Sequence, residues 1–530
     1  VIIPIENLGQ YGIVKDIPPY QLPINAWSGG NNVRILDNAV KKVTGYSEIL
    51  ATCPIDPYYL VALPSGTQYF WVAGGLTKIY VHNGSSWTNI TRQSGGSDVN
   101  YSATAAENWS HCVIGGVLIM NNGVDDPQEW PTSGGIASVA TKMQDLSNWP
   151  ASTTCKVMKA FKTFLVGLNT KESTTDFPRL VKWSHEAAFH SVPSSWDETA
   201  SDKDAGEYEL AQTPGEILEG MTLGDQFVIF KEDAIVQMSY VGSPFIFSFR
   251  TLSPTVGILA KNCAAEFEKG LFFIGNSDIY LMDGQNIHPL LPKKLRRWLF
   301  GNLDGDNYSR SFVAADYGRK EMLACFPSTG SSFCDTAIIW NWDVGTFTVR
   351  EIPDLSHATY GIKDIAGGLT WSGITTNWNT ETATWGTRAY DANKKNLVFV
   401  DPGNTKIYRD DYGNTKDGTN MTSYIERTGL SLSEGGQPDH SRIKHVKAVY
   451  PKLEALSTVN IYIGSQMSNE QGVTWEGPYT FNPDTQSKVP CRVTGRYFGF
   501  KVESTTDTDW KLHGVEFELV DTGRRGSVTH

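Results

Sequence analysis

The feature that most limits this sequence is its punctuation. Short apolar or alternating runs of roughly four to seven residues recur along most of the chain, broken by Gly, Asn-Gly and Asp-Gly turns. An amphipathic helix needs apolar positions at i, i+3, i+4 and i+7 over ten residues or more, and these runs are too short for that. One segment is different. PLLPKKLRRWLFGNL, Pro289 to Leu303, sets Leu295, Trp298 and Leu299 at i, i+3 and i+4 before Gly301, which predicts one helix. Everything else reads as strand and turn, so the chain is all-β.

The strands recur as a loose unit. It is visible in LTKIYVHNGSSWTNI, GVLIMNNGVDDPQEW, EDAIVQMSYVGSPFIFSF, SDIYLMDGQNIHPL and TAIIWNWDVGTFTVREI. With Ile79, Ile119, Val181, Ile235, Ile279, Ile338 and Ile407 as markers, the steps are roughly 40, 62, 54, 44, 59 and 69 residues. Units of this length with four strands each predict an irregular six- or seven-bladed β-propeller-like core over residues 51–414. The long last step points to closure by strands from the N-terminal region, or to incomplete closure. Stacked sandwiches with hairpins of similar length are the alternative. Beyond residue 414 alternation is clearer, as in TVNIYIG, where Val459, Ile461 and Ile463 share a face. Five such runs predict a C-terminal antiparallel β-sandwich over residues 415–530. Residues 1–50 are left as a separate hairpin or platform segment.

In that segment, NAWSGGNNVRILDNAVKKVTGYSE centres a hairpin on Asp37-Asn38, two residues that tolerate positive φ. The register then sets Val33 opposite Lys42 and Ile35 opposite Val40, with Arg34 opposite Lys41 on the face toward water or a neighbour. Trp27 reads as a packed anchor. KKLRRW, on the predicted helix, is the densest basic cluster. Arg and Trp are favoured at protein interfaces, so Trp27, Arg34, Lys41, Lys293, Lys294, Arg296, Arg297 and Trp298 form the candidate assembly surface.

Catalytic motifs fail one by one. HEAAFH, His185 to His190, spaces its histidines at i, i+5 rather than the i, i+4 of a zinc helix. DGDN at Asp304 lacks the remaining ligands of a calcium loop. Ser468 to Trp475 resembles the Asp-box turn of sialidase-type propellers, with Glu470 at the Asp position. Acidic neighbours such as Glu207/Glu209 and Asp410/Asp411 are expected by chance among 57 acidic residues. DETASDKDAGEYE, Asp197 to Glu209, reads as a solvated loop inserted between blades. The seven cysteines form no C-x-x-C pair and mostly sit in apolar runs, so they read as reduced core thiols. No catalytic, metal or cofactor residue is assigned, and the chain reads as non-enzymatic. No apolar run reaches the length of a membrane-crossing helix. The net charge of −12 argues against a broad nucleic-acid-binding surface, yet suits a passage through which DNA slides without sticking.

Several segments resemble one family, the tail nozzle or hub proteins of short-tailed bacteriophages (tail tubular protein B-like). They are LPINAWSGGNNVRILDNAVKKVTGYSE, AGGLTKIYVHNGSSWTNITR, IMNNGVDDPQEWP, GLSLS and RIKHVKAVYPKL. The resemblance implies a structural virion protein, made in the bacterial cytoplasm and built into a homo-oligomeric, six-fold ring in the tail. Such a ring docks below an adaptor or gatekeeper protein, carries a tail fibre or tailspike, and gates genome DNA that passes without sequence-specific binding and without membrane insertion. The alternative is a propeller-type carbohydrate-active enzyme (a virion depolymerase) or a glycan-binding propeller.

Overall fold

A computed structural model describes residues 1–65, 68–132, 138–362, 395–433, 441–468 and 471–521. Six four-stranded antiparallel sheets follow one another along the chain, and a seventh, six-stranded sheet completes the set. We number them blades 1 to 7. Their first strands are Tyr59–Ser65, Ser110–Ile114, Thr153–Phe161, Ile217–Leu223, Ala264–Phe267, Phe312–Asp316 and His357–Ile362. Each blade packs its faces against its two neighbours, and the packing can be followed around a complete ring. Trp109, Trp130 and Phe70 fill the space between blades 1 and 2, and Ile119 and Cys155 that between 2 and 3. Phe161, Phe227 and Phe247 join blades 3 and 4. Phe230 meets Phe273 between 4 and 5 at 5.1 Å, and Phe272 stacks on Trp340 between 5 and 6 at 5.5 Å. Leu323 and Phe399 lie between 6 and 7, and Trp71 and Val400 close the circle between 7 and 1. The core is a seven-bladed propeller.

Part of the uneven marker spacing has a simple cause. Ile79, Val181, Ile235, Ile279, Ile338 and Ile407 lie in the third strands of their blades, whereas Ile119 lies in the second strand of blade 2. The last step contains residues 363–394, which lie outside the described residues. DETASDKDAGEYE is not between blades: it links the third strand of blade 3, Thr175–Trp183, to the fourth, Gly206–Glu209, and ends inside that strand.

Residues 1–50 are not a unit by themselves. Ile2–Ile5 and the hairpin Val33–Leu36/Ala39–Lys42 join one sheet of the C-terminal sandwich, beside Trp510–Asp521. Gly29–Asn31 joins the other sheet beside Ser423–Leu430. Tyr46–Glu48 instead pairs with Lys406–Asp410 as the fourth strand of blade 7. The propeller therefore closes with an N-terminal strand, and its chain limits are not those of residues 51–414. The hairpin register is the one read from sequence, with Val33 opposite Lys42, Arg34 opposite Lys41 and Ile35 opposite Val40. Asp37 and Asn38 take φ of 50° and 59°. In the sandwich, Phe500 of one sheet meets Phe517 of the other edge-on at 5.9 Å. The run VPCRVTGRYFGFKVES divides into Val489–Gly495 and Tyr497–Ser504, which belong to opposite sheets. Thr474–Phe481 adds an edge strand that begins inside the Asp-box-like segment, of which residues 469–470 lie outside the described residues. All seven cysteines are free, six of them buried.

The predicted helix is Arg296–Asn302, hereafter α1, with Leu299 buried. At the closing strand, a Cβ on Gly45 would come within 1.9 Å of the Thr415 carbonyl oxygen, a contact that only backbone movement relieves. Gly45→Ala should therefore lower stability by about 1–3 kcal/mol, the usual range for overpacking. Gly301→Ala, in open space on α1, should raise stability by up to ~1 kcal/mol through helix propensity. Urea unfolding of the two variants checks both signs.

Candidate functional site

The candidate surface residues divide sharply. Trp27 is 3% exposed, and its indole Nε1 donates to the Leu8 carbonyl at 2.7 Å. It is an anchor, but an internal one. Arg34 does not face water or a neighbouring subunit: it is 4% exposed and reaches from the hairpin into blades 6 and 7. Its Nε and Nη2 donate to the Glu321 carboxylate at 2.7 and 2.9 Å, and Nη1 and Nη2 to Asp411 at 3.2 and 3.0 Å. Lys41 remains partly exposed and pairs with Asp509 at 3.2 Å within the sandwich. Lys294 and Trp298 are half-buried and engaged within the chain. The Lys294 carbonyl accepts from the amides of Lys15 and Asp16, its ammonium lies 5.0 Å from the Phe347 ring, and the Lys15 ammonium sits 4.0 Å over Trp298. Asp16 caps α1, accepting from the amides of Arg297 and Trp298 at 2.8 and 3.2 Å. Lys293, Arg296 and Arg297 stay exposed around an open hollow that also touches Asp16 and Phe300. Lys293 and Arg297 thus keep their basic groups open to a partner, whereas Arg296 Nε donates to the Ser277 carbonyl at 2.7 Å and lies 3.9 Å from Asp278.

Around Arg34 the structure gathers a buried ion cluster. Arg319 also pairs with Asp411, and Arg350 holds Asp410 through two hydrogen bonds of 2.8 and 2.5 Å. Burial alone would lower Arg34, yet Glu321 and Asp411 outweigh it and raise it well above its usual value. Burial likewise opposes ionisation of Asp411, but Arg34, Arg319 and Arg350 hold it down at about 2. Asp316 is left over. Burial, then Asp411, Asp410 and Glu321, push it up to about 7. Arg34, Arg319 and Arg350 thus face four carboxyl groups, Glu321, Asp410, Asp411 and Asp316.

The second cluster lies on the propeller axis, where every blade contributes one residue. Tyr59 of blade 1 shares a 2.9 Å hydrogen bond with His111 Nδ1 of blade 2 and packs its ring 3.9 Å from His357 of blade 7. Phe312 of blade 6 lies on the other side of His357, ring centroids 6.1 Å apart. Lys159 of blade 3 pairs with Glu219 of blade 4 at 3.2 Å. Glu219 also accepts, at 2.8 Å, from the amide of Asn262, just before the first strand of blade 5. Beneath them Lys261 donates to the carbonyls of Asn108 and Lys156 at 2.6 and 2.9 Å, and burial lowers it to about 8. His357 Nδ1 meets no hydrogen-bond partner among the described residues. Burial lowers His111 and His357 to about 3, so both are neutral near pH 7. His111 keeps more contact with solvent than His357. The axis is filled by side chains rather than left open.

Sequence reasoning missed these axial residues because they are spread from Tyr59 to His357 and share no motif. They lie in or just before the first strand of each blade, but at different positions along it: Tyr59 opens its strand, whereas Lys159 is the seventh residue of Thr153–Phe161. HEAAFH lies in the loop after Thr175–Trp183, with His185 Nδ1 accepting from the Asp204 amide at 3.1 Å. Asp410 and Asp411 are drawn into the ion cluster, and Asp304 accepts from the amides of Asp306, Asn307 and Gly330 as a turn.

No family model and no curated protein sequence matches this chain. Among solved structures, PorZ, a bacterial surface component of the type-IX secretion system of Porphyromonas gingivalis, is similar with a TM-score of 0.35 and 10% identity. That match covers 84% of this chain and 60% of the PorZ chain. The AfRom2 CNH domain is similar with a TM-score of 0.34 and 9% identity, over 70% of this chain and 97% of that domain. Neither likeness is close enough to carry a function.

Two outcomes follow from the clusters. Arg34→Met leaves Glu321 and Asp411 short of a buried partner and should cost about 3–5 kcal/mol, whereas Lys41→Met, at a half-exposed pair, should cost less than ~1 kcal/mol. Chemical denaturation of both distinguishes a clamp from a surface pair. His357 is neutral when folded but gains a proton below pH 6.5 when unfolded, so its contribution to stability is complete above 6.5 and fades as pH falls toward 3. His357→Phe, which forfeits no hydrogen bond at Nδ1, should unfold like the wild type at pH 8. At pH 5 it should be more stable by on the order of 1–2 kcal/mol, read as a flattened acid limb in thermal melts.

Proposed function

We propose that this chain is the nozzle or hub subunit of a short phage tail. In this reading it is a structural virion protein that forms a ring below the adaptor, carries fibres or spikes and gates DNA exit. The observation that carries the reading is the closed axis joined to a rigid frame. Lys261 and Asn262, just before blade 5, donate across the centre of the propeller to the carbonyls of Asn108 and Trp109, just before blade 2, so a single subunit offers no lumen for a duplex. Arg34 and the cap on α1 fix the N-terminal segment to the propeller from two sides. A rigid wedge of this kind serves as a ring segment, and DNA then passes between protomers. The net charge of −12 suits walls that repel phosphates and let DNA slide, where a basic wall would hold it through counterion release. Lys293 and Arg297 supply exposed basic contacts to an acidic adaptor or neighbour. No helix among the described residues is long and apolar enough to cross a membrane.

The test is imaging. Cryo-EM of native particles, or of the protein mixed with its adaptor ring, should place six copies at the distal tail, with a channel lined by several subunits and no density for DNA along any propeller axis. A monodisperse monomer that ignores the adaptor and cleaves polysaccharide would instead support the enzyme reading.

A further inference from the structure

On the face of the propeller from which the first strands start, beside the axis, lies a cavity of about 260 Å³. Segments of blades 2 to 6 wall it, so it belongs to the ring and not to one loop. Its lining is mixed. Lys156 lies 3.0 Å from the Glu216 carboxylate and 3.9 Å from that of Glu107. Glu232 adds a third carboxylate, Lys261 forms the side nearest the axis, and Tyr308, 43% exposed, stands at the rim. Leu218 and Leu259 give the wall an apolar part.

The geometry points to a binding site for a neutral polyol, with one pyranose ring of a surface glycan as its ligand class. Three features carry this. The Lys156–Glu216 spacing is that of two vicinal hydroxyl oxygens, so one hydroxyl of a diol can donate to the carboxylate while its neighbour accepts from the ammonium. The Tyr308 ring beside aliphatic wall offers an apolar surface for the C–H face of a sugar, the usual pairing of a few polar groups with an apolar lining. Charge excludes the other ligand classes. Glu107, Glu216 and Glu232 outnumber Lys156 and Lys261 by one, which disfavours phosphates and carboxylates. Lys156, already paired with Glu216, meanwhile occupies the position that a cationic ligand would need. The volume admits one pyranose ring and excludes a base pair or a folded peptide. The site depends on blade packing within one chain, so it stands independently of ring assembly.

Saturation-transfer NMR on the full chain, with galactose, glucose and N-acetylglucosamine as probes and inorganic phosphate and spermidine as competitors, tests it. At least one sugar should show transfer, and neither competitor should displace it. Glu216→Gln, which keeps the shape of the side chain, and Tyr308→Ala, at the exposed rim, should each weaken the signal about tenfold. Their melting temperatures should stay near that of the wild type, which separates lost binding from lost folding. No transfer from any of the three sugars, transfer undiminished in both folded variants, or displacement by phosphate or spermidine would overturn the proposal.

Discussion

A propeller blade cannot bury both faces alone, so the whole fold depends on closing the ring. Here closure rests on Tyr46–Glu48, a strand made long before the blade it completes, pairing with Lys406–Asp410. Because that strand follows directly on the Val33–Lys42 hairpin, the same short stretch of chain is committed to the sandwich on one side and to blade 7 on the other. Gly45 sits between the two commitments, against the Thr415 backbone. The two bodies are therefore tied covalently at the point where the ring closes. Their cores also run together through Ile13, Trp27 and Phe347.

The buried ions around Arg34 act on orientation more than on net stability. Desolvating a guanidinium and its carboxylates costs several kcal/mol per ion, which their attraction offsets only in good geometry. The geometry here is good: Arg34 makes four hydrogen bonds to two carboxylates from different blades. An apolar contact would tolerate sliding between sandwich and propeller, whereas this fork fits in one position only. Asp316, the fourth carboxyl among three guanidiniums, is pushed up to about 7 by burial and by the carboxylates around it.

Much of this was legible in the sequence where the signal is local. The hairpin register followed from Asp37-Asn38 and alternation, α1 from the spacing of Leu295, Trp298 and Leu299, and the sandwich from runs such as TVNIYIG. What was not legible is set by contacts between residues far apart in sequence. Arg34 at position two of an alternating strand looks solvent-facing until Glu321 and Asp411 are brought to it from blades 6 and 7. Ile119 has the composition of a third strand but lies in a second, because strands buried on both faces carry no facing signal. The N-terminal strands could not be assigned to the sandwich or to blade 7 from their own pattern, since pairing partners more than 350 residues away decide it. The axial residues were invisible for the same reason, one per blade with no two adjacent.

The axis shows how such a scattered set becomes a single physical object. Seven first strands converge there, and their polar side chains are forced out of water together, so each must find a partner in another blade. Tyr59 and His111 solve this with a shared hydrogen bond, and Lys159 and Glu219 with an ion pair that also fixes the Asn262 amide. His357 solves it by staying neutral and packing its ring between Tyr59 and Phe312. The result links blades that share no sheet and supplies a firm side to the cavity beside it, where Lys261 is held by the backbone carbonyls of Asn108 and Lys156. In the proposed ring this division of labour is consistent: the centre of each propeller is spent on holding seven blades in place, which leaves passage of DNA to the space between subunits.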